Sequence, residues 1–170
     1  MAVHEFGHVL AAWITGGVVS KVVLHPLEMS RTDLSYNPRP LFVAWAGPML
    51  GALLPLGMWA AARAARSEFT FLLRWFSGFC LVANGVYIGA GAFNEVGDAG
   101  DMLFFGSEKW QLVAFGIVCA PAGFAIWNGL GKDFGWGESQ GRVNKKTAIV
   151  SAALLVLVAA LEFALSPRSV

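Results

Sequence analysis

The chain has 170 residues, of which 56% are hydrophobic and only 14% are charged, and its formal net charge is +1. A soluble globular domain carries about 25% charged residues, so this composition argues against an ordinary soluble protein. The small net charge gives no electrostatic reason to expect a nucleic-acid partner. The apolar residues are gathered into long runs, which predicts an integral membrane protein that crosses the bilayer several times.

The first apolar segment, residues 1–14, contains the sequence H-E-F-G-H, which begins at His4. On a helix, residues four apart share one face, so His4 and His8 can present two imidazole nitrogens to one metal ion. Glu5 then lies beside the metal as a general base. The pattern H-E-x-x-H is typical of zinc hydrolases, which keep one position on the metal open for water. An ionisable cluster in an apolar helix is costly, which favours this interpretation over a role in capping the helix.

A polar interval, residues 17–40, follows the first segment. Its β-branched run, residues 18–24, predicts a strand, and residues 30–35 predict a returning strand, so we expect a short β-hairpin. His25 stands before Pro26, and we expect it to be a turn residue rather than a metal ligand.

Long apolar runs make up most of the remaining chain, at residues 41–62, 75–94, 110–131 and 147–165. With the first segment they predict an all-α polytopic membrane protein of about five transmembrane helices, with a short membrane-associated β-hairpin after the first. Gly47 and Gly51 form a G-x-x-x-G pattern, whose simplest interpretation is close helix packing. Asn84 lies in the middle of the third helix, where a polar side chain should face the bundle.

A catalytic zinc site needs a third protein ligand besides the two histidines. An acidic cluster follows the third helix, where Asp98 and Asp101 are three residues apart. Either carboxylate could bind the metal while the other accepts a hydrogen bond beside it, or both could be solvated loop charges. The spacing alone leaves the choice between Asp98 and Asp101 open.

These features together resemble the site-2 protease family of intramembrane zinc metalloproteases, and within it the small bacterial members. The resemblance covers residues 1 to about 105. It is carried by the H-E-x-x-H pattern, the hairpin-like interval, the stretch Ala46-Gly47-Pro48-x-x-Gly51, and the acidic motif after the third helix.

The resemblance implies that Asp98 is the third zinc ligand, with Asp101 as the alternative, and that Asn94 binds substrate. The sequence departs from the family's motif in two ways. Ala99 stands where the motif has its first glycine after the aspartate, and the prolines usual between the asparagine and the aspartate are absent.

The function that the resemblance implies is cleavage of a transmembrane segment by zinc-activated water, with Glu5 as general base and one zinc ion as cofactor. The implied partners are a transmembrane protein substrate and the lipid bilayer, and the implied location is a bacterial plasma membrane. Residues 1–105 would form a three-helix catalytic core with the hairpin at 17–40, and residues 106–170 would add two helices. The alternatives are an inactive homologue that binds metal or a partner helix, and an ion-conducting membrane protein.

The membrane topology poses a problem, because alternating spans place Met1 and Asp98 on opposite sides while His4 must reach Asp98. The conflict disappears if His4 and His8 lie at mid-bilayer, which leaves the first helix short by roughly ten residues. We therefore expect that the chain begins inside its first helix, through a misplaced start codon or a shortened sequence. Basic residues are more frequent on the side of the membrane that holds Arg63. This excess predicts that the side is cytoplasmic.

Overall fold

The structure is a computed structural model that describes residues 1–166, without the side chains of Glu138 and Leu165. The elements in chain order are α1 (Ala2–Thr15), β1 (Val18–Val23), β2 (Arg31–Tyr36), α2 (Pro40–Ala64), α3 (Thr70–Asn94), α4 (Gly97–Phe104), α5 (Lys109–Trp127) and α6 (Lys145–Leu165). Two short 3₁₀ turns, Gly131–Phe134 and Gly137–Ser139, lie between α5 and α6.

Four helices in the described part of the chain are long and apolar enough to cross a membrane, namely α2, α3, α5 and α6. Helix α1 has 14 residues, which corresponds to about 21 Å, less than the roughly 30 Å of a hydrocarbon core. The predicted count of about five membrane helices is therefore not confirmed. The predominantly helical architecture and the small antiparallel sheet agree with the expected fold class.

The hairpin begins with a reversal of the chain at the end of α1. Gly16 adopts the left-handed conformation with φ 78°, and the N–H of Gly17 donates to the carbonyl of Ala12 at 2.7 Å. After this glycine turn, β1 and β2 form an antiparallel hairpin, with Val22 opposite Thr32, that packs beside α1. The predicted hairpin is thus present, and it carries Thr32 back to the amino-terminal half of α1.

The turn of the hairpin contains His25, whose side chain is buried. Its Nδ1 accepts a hydrogen bond from the N–H of Leu27 at 3.2 Å, and its ring packs edge-on against Phe163 with centroids 4.9 Å apart. The N–H of Leu24 donates to the Ser166 hydroxyl at 2.8 Å. The carboxyl-terminal end of α6 therefore rests on the hairpin turn.

Glycines allow the helices to approach closely. Gly7 of α1 lies against the backbone of Ala46 and Gly47 in α2, so that a Cβ at position 7 would overlap both. In the pair α3 and α5, a Cβ on Gly89 would lie 3.0 Å from the Cα of Gly116. The first of these contacts holds α1 against α2, and the second holds α5 against α3.

We predict that Gly116→Val destabilises the protein, because a Cβ at position 116 would lie 2.9 Å from both the Gly85 carbonyl oxygen and the Gly89 Cα. Overpacking of this kind costs about 1–3 kcal/mol in the free energy of unfolding. Denaturation in detergent micelles measures the loss. The matched control is Gly57→Val in α2, where nothing lies within 4 Å of the added Cβ. Equal stability of the two variants would contradict the prediction.

Candidate metal centre

His4, His8 and Asp98 meet in the interior of the bundle. The Nε2 atom of His4 lies 2.6 Å from Oδ2 of Asp98, and the Nε2 atom of His8 lies 3.4 Å from Oδ1 of the same carboxylate. One ligand atom from each residue lies within 4.8 Å of the others. The structure thus brings together the two histidines of the H-E-x-x-H pattern and one of the two candidate aspartates.

Both imidazole rings are held through the nitrogen that faces away from Asp98. His8 donates from Nδ1 to the Val43 carbonyl at 2.8 Å, and Nδ1 of His4 lies 2.7 Å from Oδ1 of Asn84. This arrangement leaves both Nε2 atoms directed at the carboxylate. Two imidazole nitrogens and one carboxylate oxygen are a donor set that zinc prefers, so these side chains fit a zinc ion.

Helix α2 contributes no ligand to the site, but two of its glycines leave room for side chains of the site. A Cβ on Gly47 would overlap the imidazole ring of His8, and a Cβ on Gly51 would lie 2.8 Å from Oδ1 of Asn84. The G-x-x-x-G pattern, interpreted from the sequence as a helix-packing motif, therefore also makes room for a histidine ring and for the amide beside the other histidine. Gly47 is seven residues inside α2, so the site lies about 10 Å along the helix from its first residue.

A turn after α3 brings Asp98 back towards the bundle. Helix α3 ends at Asn94, and Glu95 and Gly97 then adopt positive φ values of 56° and 58°. Helix α4 begins at Gly97, and the Asp98 N–H donates to the Tyr87 hydroxyl at 3.3 Å. This turn explains how a carboxylate that follows a long helix reaches histidines in the interior.

Two opposing effects set the pKa of the Asp98 carboxyl. Burial raises this pKa, but hydrogen bonds with His4 and His8 outweigh the burial and hold the pKa well below its usual range. The pKa of Asp101 is raised instead, by burial and by the negative charge of Asp98. The two candidate aspartates therefore differ in their surroundings, since only Asp98 contacts the histidines.

Glu5 is buried beside the two histidines, with 3% of its surface exposed. Its Oε2 accepts a hydrogen bond from the Thr32 hydroxyl at 2.8 Å. Thr32 belongs to β2, so the hairpin directly contacts the carboxylate that the H-E-x-x-H pattern assigns to general-base catalysis.

A cavity of about 560 Å³ opens onto these groups. Its lining includes His4, Glu5, His8, Asp98, Asp101, Tyr87, Phe105, Asn37, Pro40 and the segment from Met29 to Leu34. Asp101 lines the cavity but does not belong to the three-residue cluster found in the described part of the chain. Asn94, the last residue of α3, is exposed and is not part of this lining.

Three contacts of the site were not assigned from the sequence, those of Asn84, Tyr87 and Thr32. A signal existed for Asn84, because an amide in the middle of an apolar helix must find polar partners inside the bundle. Tyr87 lies three residues later and therefore on the same helix face. No motif marked Thr32, whose position depends on how the hairpin folds against α1.

The fold and the site define the class of the protein as a helical membrane protein with a buried cluster of two histidines and one aspartate that could bind a metal. The chain belongs to the Peptidase M50B-like family, whose model matches residues 1–91. This match confirms the resemblance to the site-2 protease family of membrane metalloproteases. It includes His4, Glu5 and His8 and ends before Asp98. No curated protein and no solved structure matches the chain.

We predict that the purified protein retains about one equivalent of zinc and that Asp98→Ala loses it, because only two protein ligands would remain. The matched control is Asp101→Ala, which removes a carboxylate from the same cavity and should leave the zinc content unchanged. Elemental analysis of the purified variants measures the metal. Loss of zinc from Asp101→Ala alone would assign the third ligand to Asp101 instead.

Proposed function

We propose that the protein is an intramembrane zinc endopeptidase that cleaves a transmembrane segment of another membrane protein. The observation that carries the proposal is the convergence of His4, His8 and Asp98 next to the buried Glu5. The family match supports a peptidase, and the four apolar helices support a site enclosed by lipid. The location proposed is a bacterial plasma membrane, in which the chain is a multi-pass protein.

His4, His8 and Asp98 are the residues that would hold the zinc ion. A bound zinc ion supplies Lewis acidity to the scissile carbonyl and lowers the pKa of water to roughly 7. The chain itself supplies the enclosure, since most of each histidine ring is buried and a cavity admits the substrate beside them. Water that reaches this cavity enters a site of low dielectric constant, in which fixed charges act strongly.

Glu5 performs the proton transfers in this proposal. Its carboxylate accepts a proton from the attacking water and then delivers that proton to the amine that leaves, as a general base followed by a general acid. The Thr32 hydroxyl donates to Oε2, and Glu5 lines the cavity. The role of Thr32 is to fix the orientation of the Glu5 carboxylate.

The hairpin is the element that we propose contacts the substrate. A helical substrate hides its peptide bonds in internal hydrogen bonds, so it must unwind locally before attack, and an unwound segment can pair with an exposed strand. The cavity is lined by residues of β2, so we assign the pairing edge to Arg31–Tyr36.

The remaining residues take subsidiary roles in the proposal. Residues 1–105 form the catalytic core, because every residue of the site lies within them, and residues 106–170 supply the supporting helices. Asp101 lines the cavity as a further carboxylate. Asn94 is exposed and lies outside the cavity lining, so its contact with substrate would occur at the surface of the protein.

Two other functions make different predictions. An inactive homologue would bind zinc without cleaving any substrate. An ion-conducting protein would use the same ionisable groups without stoichiometric zinc. The enclosure of Glu5 next to the proposed metal ligands favours the peptidase, because neither alternative needs a carboxylate held there by a hydroxyl.

We predict that Glu5→Gln abolishes cleavage of a single-span substrate reconstituted with the protein in liposomes, while zinc content stays the same. Loss of a general base costs about 10²–10⁴-fold in rate. The amide of glutamine keeps the size of the side chain but cannot accept the proton. Undiminished cleavage by Glu5→Gln would refute the assigned role, and zinc binding by a wild-type protein without cleavage of any tested substrate would favour the inactive homologue.

We predict that Thr32→Val lowers kcat by about tenfold, because it removes a hydrogen bond to a charged carboxylate, while KM changes little. Thr32→Ser is the matched control, since it keeps the hydroxyl and should retain most of the activity. Steady-state cleavage rates in detergent distinguish the two. A rise in KM with unchanged kcat would show that Thr32 acts on substrate binding rather than on Glu5.

A further inference from the structure

Asn84 lies in the interior of α3, with 8% of its surface exposed. Its Oδ1 lies 2.7 Å from Nδ1 of His4, and its Nδ2 donates to the carbonyl of Cys80 at 2.8 Å. A buried amide in a membrane helix must satisfy its donor and its acceptor inside the protein. Asn84 meets this requirement with one bond to its own helix and one bond to the first histidine of the H-E-x-x-H pattern.

The bond to Cys80 determines which way the amide faces. A carbonyl oxygen can only accept, so the NH₂ group of Asn84 must be the group that points at Cys80. The amide oxygen therefore faces His4, and Nδ1 of His4 must carry the hydrogen that this oxygen accepts. In the neutral ring that would bind a metal, this hydrogen on Nδ1 leaves the lone pair on Nε2, the atom that lies next to Asp98 in the structure.

Gly51 leaves the space that Asn84 occupies. A Cβ at position 51 would lie 2.8 Å from Oδ1 and 2.9 Å from Nδ2 of Asn84. Both distances are shorter than a normal van der Waals contact, so any side chain at position 51 would displace the amide. The backbone of α2 thus allows Asn84 to stay within reach of His4.

We propose that Asn84 is a positioning residue for the metal ligand His4. Its amide oxygen holds the imidazole in the tautomer and orientation that direct Nε2 at the metal, and Gly51 provides the room. This assignment rests on the zinc site of the proposed function. His8 receives the same support from the Val43 carbonyl, which no side-chain substitution removes, so His4 is the ligand whose support can be tested.

The neutral amide suits this position better than a charged acceptor. A carboxylate at position 84 would add a further negative charge to an apolar interior that already contains Glu5 and Asp98. Asn84→Leu keeps a similar volume and removes both bonds.

Zinc affinity of the full chain in detergent, measured by competition with a chromophoric chelator, tests the assignment. We expect Asn84→Leu to weaken zinc binding by about 10–100-fold, the usual effect of removing a partner of a histidine ligand. The absorption spectrum of the cobalt-substituted protein should change in Asn84→Leu, because it reports the geometry of the ligands.

Ser77→Ala provides the matched control for the loss of a buried hydrogen bond in α3. The Ser77 hydroxyl is within 2.7 Å of the carbonyl oxygens of Pro55 and Leu73, and Ser77 lies seven residues, or about two turns, from Asn84. We expect Ser77→Ala to lower the melting temperature and leave the zinc affinity unchanged. If Asn84→Leu does not fold, Gly51→Ala displaces the same amide and should weaken zinc binding in its place.

The outcomes separate the two proposals. Wild-type zinc affinity and an unchanged cobalt spectrum in Asn84→Leu, or in Gly51→Ala where Asn84→Leu does not fold, would overturn the assignment of Asn84. Equal weakening by Ser77→Ala would overturn it too, because the effect would then be general destabilisation. A wild-type protein that binds no zinc would overturn the proposed function itself, and the assignment of Asn84 with it.

Discussion

The contact between His4 and Asp98 is the constraint on which the rest of the structure depends. The two residues are 94 positions apart in the chain, and their side chains approach to 2.6 Å. Ionisable groups inside a lipid-embedded bundle are tolerated when they are paired, so every element around this contact serves to make the pairing possible. Helix α1 supplies the histidine, the turn at Glu95 and Gly97 returns the carboxylate, and α3 contacts the histidine through Asn84.

The hairpin adds a second connection between distant parts of the chain. Thr32 joins β2 to Glu5, and the N–H of Leu24 joins the hairpin turn to Ser166 at the end of α6. The strand that lines the cavity is therefore linked to the proposed base on one side and to the last helix on the other. A substrate that pairs with β2, as proposed, would therefore contact the same hairpin that holds the proposed base.

Much of the site could be predicted from the sequence because its strongest signals are local. The spacing of His4 and His8 follows from the helical repeat, and the hairpin follows from β-branched residues between turn residues. The choice between Asp98 and Asp101 depends on the direction of a turn with two positive φ values, which no periodicity encodes. The contact of Thr32 with Glu5 depends on how a sheet packs on a helix, which also lies beyond a local pattern. Asn84 was recognised as a residue that faces the interior, but its partner is 80 residues away.

The lack of a side chain at Gly47 affects how related sequences should be classified as active or inactive. The His8 ring occupies the volume that a side chain at position 47 would need. A homologue could therefore keep both histidines and the glutamate and still lack a working centre, merely because a methyl group replaces one hydrogen on the neighbouring helix. A search for the five-residue motif alone would count such inactive homologues as enzymes. Inspection of the residue at the position of Gly47 on the facing helix would identify them.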